Sequence, residues 1–591
     1  MNLHTELPVL LILFSPLLAA IISLAGKYLP SRYSELPAFV IWLIGSLLAL
    51  RLSLHTVLAG GALQYSLGGW AEPLGISLEV NGVTWIATLT DVLIASAAWL
   101  CTRKYRQFNS LFYFFFFMAL FSLQGVLCTR DIFNLFVWFE VLSLSSFVLI
   151  SYDRSIVARL AAIRYLLISS TSILLFLVGV WIMYRMTGVL SLEEISLRLA
   201  EITSTASVEN YRPAIGLAVV LMTGGILTRA AVVPFHTWLP DAHSAAPYQV
   251  SALLSGFVIK APMLALWKIF SFISLQRILY GLIWVGAVCA LWGVLAAMVQ
   301  KDAKKLLGYH SVSQMGYIVA AFGAGGEIGR SAALFYIIAH ALFKSLLFFT
   351  VGNVTTRAGT RDVYKLRGLV RRFPLQAGFY FIAAASIAGV PFFAGFTGKL
   401  LVAKSLYGHP AYTLLLLAGA GTAASFVKLS GIFVGRPSFP GNGYTIDDEA
   451  SGDTGSGNAA SGDTASTFLG MGIIAAGCLL MGILPTAVHG FLLRLAVSSA
   501  PGLSGTLEIA GSQGAILTPA SPLSGWYSTS NLLKAFITLA AGFVISCFLL
   551  STHGKKLSHR IRRLRVGLNG SLRLVTAGFV LLILFGTWGY W

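Results

Sequence analysis

Apolar residues along this chain fall into long runs, and run after run has the length a helix needs to cross a bilayer. Short stretches bearing Lys, Arg, Gly and Pro separate them. Helices are expected near 7–26, 36–57, 82–101, 110–129, 131–151, 160–186, 213–234, 248–271, 277–299, 307–325, 331–354, 375–403, 411–435, 467–489, 531–551 and 571–590, about sixteen in all. The pattern predicts an all-α polytopic membrane protein. The loops test it. With the N-terminus outside, one set of loops holds Lys27 and Arg32; Arg103, Lys104 and Arg106; Arg154 and Arg159; Lys301, Lys304 and Lys305; six cations between Arg357 and Arg372; Arg436; and six between Lys555 and Arg565. The other set holds Arg130, Arg212, Arg330, Arg494 and few more. One alternation satisfies the positive-inside rule and puts both termini outside.

Two stretches break the rhythm. Residues 437–466 are rich in Gly, Ser, Asp and Asn, cannot bury enough apolar surface to fold, and read as a flexible cytoplasmic loop. Residues 501–530 form a second Gly/Ser/Pro-containing connection, ahead of two extra C-terminal helices. The basic run 555–565 between those helices reads as a positive-inside anchor, with lipid-headgroup or partner docking the alternative. The expected organisation is helices 1–3 in 1–107, a first unit of helices 4–8 in 108–272, a second of helices 9–13 in 273–436, the loop, and helices 14–16 in 467–591.

Composition agrees. Of 591 residues, 57% are hydrophobic and 11% charged, and the mean hydropathy is +0.81, which excludes an ordinary soluble domain. The formal net charge of +19 is spread over short loops, so topology explains it and nucleic acid does not. Five scattered cysteines form no CxxC, against disulfides and clustered metal ligation. No basic segment precedes the first apolar run, which therefore reads as a retained span rather than a cleaved signal. No haem, flavin, iron–sulfur or nucleotide-binding pattern occurs, so no cofactor and no redox site of the chain's own are expected.

Ionisable residues inside apolar runs are costly and mark ion paths. Residues 224–260 organise the rest: Arg229 ends one apolar helix, Pro234 interrupts it, the polar segment His236 to His243 follows, and a second apolar helix carries Lys260 about a dozen residues from its start. Glu140 lies more than a turn inside its run. His340 and Lys344 stand at i,i+4, on one helical face, where a histidine that titrates near neutral pH can pass protons. Lys399 follows a second break, Gly389 to Gly398 around Pro391, and Lys428 lies well into the next helix. Two interrupted helices, each followed by a lysine-bearing helix, suggest an internal repeat of inverted topology. His236, Asp241 and His243 match no common zinc spacing; a polar lining at the mouth of the path is the reading, and no metal is expected.

Taken in order, Gly68-Gly69-Trp70, Trp138-Phe139-Glu140, the segment Pro234 to His243, Ser251 to Gly256, Asp302 to Leu307 with Tyr309 to Tyr317, His340 to Lys344, and Gly389 to Lys399 resemble the antiporter-like membrane subunits shared by respiratory complex I, Mrp-type cation/proton antiporters and membrane-bound hydrogenases. The likeness spans about residues 60–435. It implies a fourteen-helix core with two inverted five-helix repeats, each with a broken helix and a half-channel, joined by a central line of charge. Glu140, Lys260, His340, Lys344 and Lys399 match that line. Two positions depart from it. Arg229 stands where the family has the seventh-helix lysine, and Arg164 where relatives often have Lys. Arginine keeps its proton, so Arg229 can anchor Glu140 but is a poor relay. The expected partners are other membrane subunits of a respiratory, hydrogenase or Mrp-type complex, with H⁺ translocated. Na⁺/H⁺ exchange, a non-conducting scaffold with a degraded first half-channel, and a stand-alone solute transporter are the alternatives.

Overall fold

The computed structural model describes residues 6–550 apart from 27–31, 71, 73–74, 104, 106–107, 205–207, 274–275, 437–464 and 498–522, and beyond 550 only 551, 554, 556, 573, 577 and 578. The expected loop 437–466, the connection 501–530, the basic run 555–565 and the helix at 571–590 lie wholly or largely outside the described residues, as do Lys27, Lys104 and Arg106.

The helices α1 (Leu7–Ala25) and α2 (Arg32–Leu58) pack as a pair ahead of a small antiparallel hairpin, β1 (Leu63–Ser66) and β2 (Ser77–Val80). Then come α3 (Gly82–Thr102), α4 (Ser110–Cys128), α5 (Ile132–Ile150), α6 (Ile156–Thr187), α7 (Leu192–Ser204) and α8 (Val208–Arg229). The short α9 (Trp238–Ala245) and α10 (Tyr248–Leu253) lead to α11 (Ala261–Phe272). The second half holds α12 (Gln276–Met298), α13 (Ala303–Ala324), α14 (Gly326–Arg357), α15 (Pro374–Ala388), α16 (Ala394–Ser405) and α17 (Ala411–Ser430). Last are α18 (Ala465–Ile483), α19 (Pro485–Val497), α20 (Leu523–Trp526) and α21 (Thr529–Leu550). Thirteen described segments are long and apolar enough to span a membrane. The protein is a multi-pass helical membrane protein.

The run-length reading places these helices within a few residues and misses five features. The hairpin and α7 fall in stretches read as loops. In α7, Leu192, Ile195 and Leu199 are buried while Glu193 and Arg198 face out, a one-faced helix too short and charged to span. The expected helix 467–489 is two, because Pro485 opens a new one after Ile483. The helix expected to reach Pro234 stops at Arg229, where Ala231 adopts φ +54°. Finally, the helix bearing Lys260 is itself broken, by a π-turn at Leu254–Val258.

α13 is the structural axis of the second half. Nearly all of its residues are buried, and it packs against α9, α12, α14, α16 and α17. Its own polar side chains leave it outside the strictly apolar spans. Its seam with α12 is closed by glycines: a Cβ on Gly316 or Gly286 would collide with backbone of the facing helix. Small residues allow such close approach where no hydrophobic drive joins helices in lipid.

Candidate functional site

Buried cations stand at several helix breaks and helix ends of the bundle, and backbone carbonyls hold them. At the π-turn, Ile259 N–H bonds Leu254 O five residues back, and Lys260 N–H bonds Phe257 O. That shift of register frees the Ser255 carbonyl, and the fully buried Lys260 Nζ donates to it. Lys399 Nζ reaches back across the second break to Ile387 O (2.8 Å) and Ala388 O (3.2 Å), the last carbonyls of α15. Gly389 ends that helix at φ +86°, with Phe392 at φ +71° beyond it. Lys428 Nζ caps α12 through Met298 O (2.6 Å) and Gln300 O (2.8 Å). Lys304 donates to Ala246 O at the end of α9. Exposed helix-end carbonyls carry partial negative charge, so each ammonium gains both hydrogen bonds and a favourable dipole.

Lys344, on α14 and fully buried, donates to Leu307 O at 2.5 Å. Ser311 Oγ reaches the same carbonyl at 3.3 Å, and Ser311 and Ser255 share a hydrogen bond of 2.9 Å. Unbroken polar contact therefore joins the Lys260 turn to Lys344 through α13. His340 lies within coulombic reach of Lys260, Lys344 and His243. His310, one position before Ser311, lies within reach of Lys344, Lys428 and Lys399. Further along α13, Gln314 Oε1 accepts from Tyr336 OH. The Tyr317 ring packs 5.8 Å from Tyr336 and 5.7 Å from Lys399 Nζ. Six imidazole nitrogens, on His243, His310 and His340, are buried without a hydrogen-bond partner.

The structure thus brings Lys260, His340, Lys344 and Lys399 into one neighbourhood, with His243 beside them. Lys428 sits instead at the end of α12 facing the basic loops. The first half is arranged differently. Arg229 donates to Phe139 O (2.7 Å) and Ser143 Oγ (2.5 Å) and stacks 4.7 Å over the Phe139 ring. It makes no ion pair with Glu140 among the described residues, although Glu140 is within its coulombic reach. Glu140 is half-buried, and its Oε1 has no partner. Asp241 lies between Arg164 of α6 and Lys305 of α13 (2.5 Å to the latter), an ionic clasp joining the two halves at the mouth. His236 accepts from Trp292 Nε1 at 3.2 Å.

Three contributors escaped the sequence reading: His310, Gln314 and Tyr317. They recur at i, i+4 and i+7, which puts them on one face of α13. That periodicity is present inside YHSVSQMGY, but none of the three is a Lys or a Glu, the residue types that stand out in an apolar run. The Ser255–Ser311 contact carries no local signal, since it joins two helices far apart in sequence.

A membrane bundle with lysines seated at helix breaks and buried histidines between them is the architecture of an ion-path protein. The chain belongs to the NADH:quinone oxidoreductase/Mrp antiporter transmembrane family, whose model matches residues 129–425. It is 33% identical over 358 residues to NADH-quinone oxidoreductase subunit N of Desulforudis audaxviator, covering 58% of this chain and 69% of that protein. It is 30% identical over 393 residues to an Na(+)/H(+) antiporter subunit of Alkalihalophilus pseudofirmus, covering 64% and 76%. The fold matches a chain of the Mrp complex from Dietzia sp. with TM-score 0.76 at 24% identity, over 86% of this chain and all of that one. It matches a chain of an archaeal membrane-bound sulfane sulfur reductase with TM-score 0.71 at 23% identity, over 83% and 97%.

Proposed function

We propose that this chain is a proton-translocating, antiporter-like subunit of a multisubunit membrane complex, and that protons cross its interior along Lys260, His340, Lys344, His310 and Lys399. The observation that carries the reading is the polar connection from the Lys260 π-turn through Ser255, Ser311 and Leu307 O to Lys344. No covalent chemistry is involved. A protonated lysine holds its backbone carbonyl with a full charge; on passing the proton on, it loses the charge and one of its three N–H donors and gains a lone pair that can accept the next proton. Buried imidazoles without protein partners are costly unless water reaches them, and water there completes the hops between side chains. The two broken helices would be the centres of two inverted repeats, 108–272 and 273–436. The basic loops would face the cytoplasm from an inner membrane, with both termini outside.

The drive comes from partner subunits. A redox partner would supply it in a complex I or hydrogenase setting. Likeness to an Na(+)/H(+) antiporter component favours a second reading, in which Na⁺ exchange supplies it. A conducting path and a non-conducting scaffold separate cleanly. In vesicles holding the intact complex, Lys399→Ala lowers proton translocation about tenfold or more at unchanged assembly, followed with an entrapped pH dye. Wild-type rates in that variant would favour the scaffold.

A further inference from the structure

The route through α13 leaves one fully buried acid unused. Asn81, Thr84, Thr88 and Asp91 stand at i, i+3, i+7 and i+10 across the start of α3, on one face of the helix. Thr84 Oγ1 donates to Leu127 O (3.0 Å), Thr88 Oγ1 to Gln124 Oε1 (2.9 Å), and Gln124 Nε2 to Asp91 Oδ2 (3.0 Å). Asp91 is 0% exposed, its Oδ1 has no hydrogen-bond partner, and among the described residues no cation faces it. Where the stripe begins, a narrow recess of about 20 Å³, room for a water molecule, is lined by Glu79, Asn81, Thr84, Arg130, Lys268 and Ser271. Arg130 pairs there with Glu79 (3.1 Å) and Glu193, and Lys268 Nζ caps α4 through Leu127 O and Thr129 O. This recess lies at the end of the bundle opposite the basic loops. At the inner end of the stripe, Ile94 lies against Gly256 of the π-turn that holds Lys260.

We infer that this face of α3 is a second access route, which brings protons from the side opposite the basic loops to Asp91. A bare carboxylate without a counter-charge is costly at this depth, and a proton on Oδ1 removes that charge. Thr88, Gln124 and Oδ2 satisfy one another, which leaves one free oxygen. One oxygen suffices for a proton, whereas a metal cation takes several. α3 lies outside residues 129–425, so the family match does not supply this acid. The inference rests on the proton-translocating reading above.

Two measurements on the intact complex in vesicles test it. Asp91→Asn keeps the acceptor for Gln124, so a purely structural Asp91 tolerates it. The route requires translocation to fall about tenfold or more at normal assembly. Independently, Ser271→Cys at the partly exposed rim of the recess, in a background with the exposed Cys547 replaced by Ser, should react with a membrane-impermeant maleimide added from the side opposite the basic loops and not from the other, and the attached group should lower translocation. Wild-type translocation by Asp91→Asn, or by fully labelled Ser271→Cys, overturns the route. A defect that appears only when Na⁺ is present makes the site a Na⁺ site and overturns the proton assignment. A wild-type complex that moves no protons overturns the function proposed above instead, while the labelling still reads the route.

Discussion

Lys344→Met leaves the complex assembled and cuts proton translocation about a hundredfold, the scale of losing one positioned proton-transfer group. Lys344 is fully buried at the meeting of α14 and α13, and its ammonium spends its hydrogen bond on Leu307 O. Methionine fills nearly the same volume with no charge to desolvate, so folding should not suffer. Everything lost is therefore the ability to take and give a proton. Lys344→Arg sharpens the point. It keeps the positive charge but not a releasable proton, so translocation should fall as far as with Met. A variant with Arg that translocates like wild type would mean that Lys344 supplies only a static field. Translocation is read with a pH dye in vesicles, and assembly by co-purification of partner subunits.

Gly316→Val removes the protein from the membrane. A Cβ at this position would lie 2.5 Å from Gly286 O and 2.8 Å from Ala290 Cα, and closer still to Ala290 N. All three are backbone atoms of α12, so no side chain can rotate away. Overpacking ordinarily costs about 1–3 kcal/mol; here the whole helix must move, and the α12–α13 seam opens. α13 carries Ser311, His310, Gln314 and Tyr317, so even a partial shift pulls the polar line apart. Gly316→Ala should already lower the amount of complex recovered. Gly281→Ala, five residues before Gly286 on the same α12, is the control: its Cβ would meet nothing within 4 Å, and recovery should match wild type. Membrane-fraction abundance by immunoblot separates the three.

Crossing helices were legible because bilayer thickness sets a length, and length survives in a hydropathy pattern whatever the packing. Pro234 and Pro391 announced their breaks because proline withdraws a backbone donor. The third break gave no such notice. A π-turn is a change of hydrogen-bond register, and LSGFV looks like any apolar helix, so Lys260 read as a residue inside an intact helix rather than at an opening. Lys260, Lys344 and Lys399 stood out because a lysine in lipid is rare. What they bind did not. Charge-pair reasoning expects carboxylates, and the partners are backbone carbonyls, in the π-turn, inside α13 and at the end of α15, which every sequence has and none displays. Arg229 was expected to anchor Glu140. Its Nη2 donates instead to Phe139 O and Ser143 Oγ, while Nη1 is buried without a hydrogen bond; both neighbours depend on how α5 faces α8.

The claim on which the account turns is that the polar face of α13 carries the proton from Lys344 to Lys399. His310 stands between them and has no structural hydrogen bond to lose. Proton translocation by the intact complex bearing His310→Phe, which fills the same apolar surroundings beside Phe426, is the direct test. The account predicts normal assembly with translocation reduced about tenfold or more. Normal assembly with wild-type translocation would contradict it.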